Sequence, residues 1–407
     1  MQTKEWFLQK YFGYSEFRNG QAELIERLLS GRPVVAVMPT GSGKSLCYQL
    51  PALMLEGLTL VISPLISLMK DQVRGLKEHG IEAAYLSSGM SRQEYGAAVY
   101  AVRNNKCKLL YVSPERLQNE EFKAFASELH IAFVVVDEAH CVVRWGESFR
   151  PAYLAIRPFL DGLPRMPLVA AFTATATSAV RSEIGKSLAL EQPLELVTGF
   201  DRSNLTFSVE KPMVKRRFLR SWLPEQSGCG IIYCATQRQT EDVYNDLNAW
   251  GCPAGRYHAG LTMEERLRNQ NAFIKNEVRV MVATNAFGMG IDKPDVRFVL
   301  HYTLPLDVEG YYQEAGRAGR DGLPAVCVLL FERRDVMQQR QLLEYSCKQR
   351  ESSAEEQKLW LTNAYQRLRD MESYCFTKGC LRKYLLAYFG QAANDSCGNC
   401  SNCRGGN

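Results

Sequence analysis

The chain has 407 residues, 46% of them hydrophobic and 23% charged, which is the make-up of a globular protein of two or three domains and not of a disordered or fibrous one. Lys plus Arg number 49 against 44 for Asp plus Glu, and the net charge of +5 permits a nucleic-acid partner without demanding one. No apolar run approaches the roughly 18 residues of a membrane span, and Met1 to Glu5 leads into no apolar secretion signal, so neither a membrane partner nor secretion is expected.

Glu16 to Leu29 places Phe17, Leu24, Ile25, Leu28 and Leu29 at helical spacing. Around its start, Tyr14, Arg18 and Gln21 suit the reading of an adenine. The aromatic face stacks on the base, and the amide offers one donor and one acceptor to its N6/N7 edge. The apolar run Val34 to Met38 predicts a strand, and Leu46 to Leu55 a helix. Between them stands Pro39-Thr40-Gly41-Ser42-Gly43-Lys44-Ser45. Strand, glycine turn and helix start make a phosphate cradle. The backbone of Thr40, Gly41, Ser42 and Gly43 can turn its N–H groups onto phosphate oxygens, and the helix N-terminus adds partial positive charge. Lys44 suits the β- and γ-phosphates of ATP, and the Ser45 hydroxyl suits a magnesium ion. Met38 stands where the strict pattern has a further glycine.

Strands then alternate with helical stretches: Leu58 to Ser63, Leu109 to Ser113, Ile131 to Val136 and Leu168 to Phe172. Such alternation predicts a parallel sheet whose ligands bind at the strands' carboxyl ends. Asp137 and Glu138 follow one of these strands. Asp137 suits magnesium, and Glu138 suits polarising the water that attacks the γ-phosphate. Pro193 to Asn204 has no period and reads as a connector. The alternation restarts with strands at Gly230 to Tyr233, Val278 to Val282, Val296 to Tyr302 and Val326 to Phe331. Two α/β units with a cleft between them are therefore expected. Arg317 and Arg320, three apart in Gln313 to Gly322, share a face if that stretch is helical, and guanidinium groups there would stabilise a transferring phosphoryl group.

From about Asp335 the composition turns to long polar helices. Trp360, Leu361, Ala364, Tyr365, Leu368 and Met371 form one apolar stripe, and Leu381, Leu385, Leu386 and Phe389 a shorter one, expected to pack together. Five of the 13 cysteines fall from Cys375 onward. Cys380, then Cys397-x-x-Cys400-x-x-Cys403, supplies four thiolates for a tetrahedral zinc ion, with Cys375 as a buried spare.

In order, Pro39 to Ser45, Asp137 to His140, Thr173 to Thr177 and Gln313 to Gly322 resemble the motif series of superfamily 2 helicases. Phe12-Gly13-Tyr14, Phe17-Arg18 and Gly20-Gln21 resemble the adenine-reading motif of the RecQ family. Asp137-Glu138-Ala139-His140-Cys141, Trp145-Gly146, Phe149-Arg150-Pro151 and Tyr153 are similar to the segment holding that family's aromatic-rich, DNA-sensing loop. Gly288 to Pro294 also fits, and the resemblance runs over nearly the whole chain. Within the loop, Val143-Arg144 and Glu147-Ser148 replace the usual Ser-Gln and His-Asp, which bears on the coupling of ATP to DNA.

The resemblance implies an α/β protein of two tandem RecA-like parallel-sheet domains, 1–203 and 204–336, with a helical zinc-binding subdomain over 337–407. It implies an ATP-dependent 3′-to-5′ DNA helicase of recombination and repair, monomeric, working in the bacterial cytoplasm with the nucleoid or in a eukaryotic nucleus. ATP, magnesium and zinc are the implied cofactors. Lys44, Asp137, Glu138, His140, Gln313, Arg317 and Arg320 are the implied catalytic residues. Single-stranded and partly duplex DNA would lie on Trp145, Phe149 and Arg150. It would also meet Ser63, Arg116, Thr236, His258 and Thr284 at strand ends, with bases stacking on the aromatics. Single-strand-binding or repair proteins are the expected partners. The sequence ends four residues after Cys403, where longer relatives carry winged-helix and HRDC domains, so weaker duplex binding is expected of this span. The competing readings are an RNA-remodelling ATPase of the same superfamily and a zinc-stabilised binding module without ATPase.

Overall fold

Each apolar run read as a strand forms one, within two residues of its expected ends, and nearly all its side chains are buried, as in parallel strands covered on both faces. In this computed structural model the described residues are 2–39, 41–87, 89–143, 150–287, 293–350 and 353–405. They form two units, Met1–Phe200 and Asp201–Asn407.

The first unit holds a seven-stranded parallel sheet: β1 (Val34–Val37), β2 (Leu58–Ile62), β3 (Ala83–Leu86), β4 (Leu109–Val112), β5 (Ile131–Val136), β6 (Leu168–Thr173) and β7 (Leu194–Val197), in the order β3-β4-β2-β5-β6-β1-β7. The second holds six: β8 (Leu205–Glu210), β9 (Cys229–Tyr233), β10 (Ala254–Tyr257), β11 (Val280–Ala283), β12 (Val296–His301) and β13 (Ala325–Leu330), in the order β10-β11-β9-β12-β13-β8. The four strands without a sequence signal, β3, β7, β8 and β10, are the four sheet edges. An edge strand is covered on fewer sides: β7, β8 and β10 carry polar residues, and β3, Ala83-Ala84-Tyr85-Leu86, lacks the β-branched residues that marked the interior runs. β7 alternates half-buried and exposed positions and pairs in parallel with β1, so the expected connector over Pro193 to Asn204 contains a strand.

The first helix is shorter than its pattern, Gln21–Leu29 in place of Glu16 to Leu29. Gly20 caps it with φ +80°, a conformation that costs a side-chain-bearing residue about 1–2 kcal/mol. A Cβ there would also lie 2.7 Å from Thr198 Cγ2. Met38 is fully buried in the core with Tyr48 and Phe172, so it departs from the strict motif without occupying the phosphate loop. In the second unit, Arg333–Lys348, Ala354–Phe376 and Leu381–Tyr388 follow the sheet. The helices that carry the two apolar stripes meet at Tyr374 and Tyr384, with ring centroids 5.5 Å apart, while the long helix also packs on Arg333–Lys348. Among the described residues no helix is long and apolar enough to cross a membrane.

Candidate functional site

In the first sheet β6 separates β1 from β5, so the loops leaving the carboxyl ends of β1 and β5 flank the end of β6. Lys44, after β1, places Nζ 2.7 Å from Asp137 Oδ1 and 3.3 Å from Glu138 Oε1, both after β5. His140 Nδ1 is 3.4 Å from Glu138 Oε2 and 2.8 Å from the Thr173 hydroxyl at the tip of β6. Tyr153 donates to the Asp137 carbonyl at 2.9 Å and steadies the turn from behind. Glu138 adopts φ +49°, a strained placement that over-determined functional turns tolerate. Asp137 is 3% exposed. Its burial raises the carboxyl above the usual range, against the pull of Lys44. Burial also works against the Lys44 charge, but Asp137 and Glu138 outweigh it and hold the ammonium above its ordinary range.

Gly41 and Gly43 sit at φ +82° and +85°. A Cβ on Gly43 would come within 2.5 Å of Gln21 Nε2, so the turn closes on that amide only because glycine is there. Gln21 Nε2 donates to the carbonyls of Ser42 at 3.1 Å and Gly43 at 3.3 Å, and its Oε1 accepts the Arg18 N–H at 2.9 Å. Arg18 Nη1 donates to the Gly41 carbonyl at 2.8 Å. The expected base-reading residues thus brace the phosphate loop in this conformation, and Tyr14 stands 54% exposed beside them. Ser45 heads the helix Leu46–Met54. With Asp137 it supplies a hydroxyl and a carboxylate, the oxygen donors that suit magnesium. Thr40 lies outside the described residues, as do Trp145 and Phe149.

The strand-end residues expected at DNA all follow carboxyl ends of the two sheets, but they differ in access. Ser63, His258 and Thr284 are buried. His258 Nε2 is 2.7 Å from Glu241 Oε1, and Thr236 caps the helix Gln237–Ala249. Arg116 is half-buried over the Tyr95 ring, and Arg150 donates to the Pro64 carbonyl at 3.1 Å.

In the second unit Gln313 is half-buried on the helix Val308–Ala315. That helix ends before Arg317, so Arg317 and Arg320 lie in a turn and not on a helical face, with Gly319 at φ +55°. A Cβ on Gly319 would meet Asn204 Nδ2 at 2.5 Å and the Leu323 carbonyl at 2.7 Å. Arg317 is 5% exposed. Burial raises the Tyr233 phenol, while the adjacent Arg317 guanidinium pulls it down. His301 Nε2 meets Glu314 Oε2 at 2.9 Å and stacks on Tyr233. Arg202 Nη1 donates to the Gly316 carbonyl at 3.2 Å, and Nη2 to those of Ala318 at 3.0 Å and Gly319 at 2.6 Å. Asn204 Nδ2 donates to Gly319 and Leu323, each at 2.9 Å. Sequence reasoning passed over Arg202 and Asn204, because a stretch without period offers no signal for a brace.

The sulfurs of Cys380, Cys397, Cys400 and Cys403 lie within 4.8 Å of one another, with Cys380 and Cys400 4.0 Å apart. Tetrahedral zinc with bonds of about 2.3 Å spaces its sulfurs by about 3.8 Å, so the four fit the ion. Backbone N–H groups of Leu381, Lys383 and Asn399 point at Cys400, Cys380 and Cys397 at 3.4 Å, and that of Cys400 at Cys397 at 3.3 Å, as thiolate ligands require. A hydrogen bond from Ser396 leads the effects that bring the Cys403 thiol down to about 6, whereas burial pushes Cys380 up to about 12. Cys375 is buried outside this cluster.

Three family models match along the chain: DEAD/DEAH box helicase over residues 18–183, helicase conserved C-terminal domain over 214–322, and RecQ zinc-binding over 333–404. ATP-dependent DNA helicase RecQ of Bacillus subtilis is 47% identical over 97% of this chain and 66% of that protein. The protein of the same name from Pasteurella multocida is 42% identical over 99% of this chain and 62% of its own length. The chain thus spans just under two thirds of these relatives. Among solved structures, the yeast Dbp5 bound to RNA and ADP BeF3 matches with a TM-score of 0.66 at 18% identity, covering 90% of this chain and 98% of that one. The DUF1998 helicase MrfA bound to DNA matches at 0.69 and 18%, covering 95% and 54%. These two likenesses establish the fold, two parallel-sheet RecA-like domains. With the phosphate loop, the acidic turn and the four-cysteine cluster each inside its matching family model, the chain belongs to the RecQ family of helicases.

Proposed function

We propose that this chain is an ATP-dependent DNA helicase that moves 3′ to 5′ on single-stranded DNA in recombination and repair. The observation that carries the reading is the convergence of Lys44, Asp137 and Glu138 at the carboxyl edge of the first sheet, within 2.7 and 3.3 Å. Nucleotide phosphates would replace the carboxylates as partners of the Lys44 ammonium. Freed from Lys44, Glu138 would accept the proton of the attacking water, with His140, itself held by the Thr173 hydroxyl, orienting its carboxylate. Ser45 and Asp137 would hold magnesium, whose charge neutralises the phosphate oxygens when bound. Arg317 and Arg320 would supply positive charge to the transferring phosphoryl group in the working complex, and Gln313 would orient beside them. DNA would be held by its backbone, so binding should weaken with salt and depend little on sequence.

The test is ATP hydrolysis with and without single-stranded DNA, for the wild type and Lys44→Ala, followed by unwinding of duplexes tailed at the 3′ or 5′ end. DNA-stimulated hydrolysis lost in Lys44→Ala, with unwinding from the 3′ tail, is the expected result. Stimulation by RNA alone, or equal rates for the two proteins, would overturn the reading.

A further inference from the structure

We infer that the four-cysteine cluster sets the position of the arginine turn, through Arg382 and the linker 201–204. This inference rests on the reading of Arg317 and Arg320 as phosphoryl-stabilising groups. Cys380 caps the helix Leu381–Tyr388, so a bound zinc fixes the first turn of that helix. Arg382, in that turn, is 7% exposed and aims its guanidinium at the linker. It donates to Asp201 Oδ1, to the Arg202 carbonyl at 2.7 Å, to the Ser203 carbonyl at 3.4 Å and to the Leu205 carbonyl. A second tie comes from inside the Cys397-x-x-Cys400 loop. Asn399 accepts from the Thr206 hydroxyl at 3.0 Å and donates to the Leu205 carbonyl at 3.3 Å.

The linker so held presents Arg202 and Asn204 to the other side. Their side chains take the carbonyls of Gly316, Ala318, Gly319 and Leu323, which are the backbone on either side of Arg317 and Arg320. The Gly319 N–H donates to the Val296 carbonyl at 2.8 Å and Arg297 pairs with Asp321, while the side-chain donors of Arg202 and Asn204 hold the turn's carbonyls. A planar guanidinium with five fixed donors is suited to bridging several carbonyls at once, which a lysine ammonium cannot reproduce. Arg382 and Arg202 are therefore positioning residues. The zinc subdomain acts on hydrolysis through them, without touching nucleotide.

The test uses the full chain with zinc bound, as wild type, Arg382→Ala, Arg382→Lys, Arg317→Ala and the double variant Arg317→Ala/Arg382→Ala. Arg382→Ala should keep its zinc and its KM for ATP while kcat falls about tenfold or more, because misplacing a charged group by about an ångström is costly. Arg382→Lys should fall between, and it stands in where Arg382→Ala fails to fold. The double variant should be no slower than Arg317→Ala, since both changes disable one turn. Hydrogen exchange at Gly316 to Gly322 should quicken in Arg382→Ala and in zinc-stripped wild type, with β9 and β12 protected as before. A kcat for Arg382→Lys equal to wild type, additive losses, or unchanged exchange at the turn would each overturn the relay. A wild type without ATPase would sink the functional reading instead, and exchange alone would then decide the relay.

Discussion

The Lys44 ammonium stands 2.7 Å from Asp137 Oδ1, and the pair is nearly enclosed, with side chains 16% and 4% exposed. Without nucleotide, each charge is the other's main compensation. Lys44→Ala should therefore abolish hydrolysis and also destabilise the first unit by roughly 1–3 kcal/mol, the cost of leaving a buried carboxylate without its partner. The carboxyl of Asp137 already lies above its usual range, so its contribution favours low pH and is lost as pH rises. The deficit of Lys44→Ala should thus be smaller at pH 5.5 than at pH 8 in urea unfolding, and Lys44→Ala/Asp137→Asn should recover part of it.

Gly43 sets a limit on the phosphate loop. Gly43→Ala meets a backbone at φ +85° and pushes Gln21 away from the two carbonyls it holds. The backbone strain alone is about 1–2 kcal/mol. Calorimetric titration with a non-hydrolysable nucleotide should show about tenfold weaker binding, the equivalent of 1.4 kcal/mol. Gln21→Ala in the same background relieves the clash but not the strain, so the double variant should bind no better.

Glu309 makes stability depend on pH. It is half-buried, with Oε2 shielded and without a hydrogen-bond partner among the described residues. Burial first, and Asp307 second, push its carboxyl up to about 7, while Tyr388 and Arg367 pull the other way. A carboxyl raised on folding stabilises below its unfolded value and loses that contribution as pH rises toward 7, by roughly 3 kcal/mol at most. Wild type should lose more stability than Glu309→Gln between pH 5 and pH 8 in thermal unfolding. Parallel pH profiles for the two would refute this.

Zinc removal should loosen the end of the chain. A metal assay on purified protein should find one zinc per chain, and Cys397→Ser should lose it. Chelation should then reduce far-ultraviolet circular dichroism, as the helix Leu381–Tyr388 loses its capping cluster, because a structural zinc contributes directly to folding. Protein without zinc, or unchanged by chelation, would remove the claim.

Much of this was legible in one dimension. A strand buried on both faces needs an unbroken apolar run, so the nine interior strands announced themselves. Turns such as Gly41-Ser42-Gly43-Lys44 and Cys397-x-x-Cys400-x-x-Cys403 place their chemistry within a few residues, and local spacing reports them. The long-range arrangements were not legible. Three of the four edge strands mix polar and apolar residues and the fourth, β3, is rich in alanine, so their pairing is what reveals them. Arg317 and Arg320 would share a face if Gln313 to Gly322 were helical, but the helix ends at Ala315, and the backbone beyond it is bonded to Arg202 and Asn204. The residue types of the site follow from the chain alone, as does the order of its motifs. Which carboxylate meets Lys44, and which distant guanidinium braces the arginine turn, depends on contacts between residues about 90 and 115 positions apart, which no local pattern encodes.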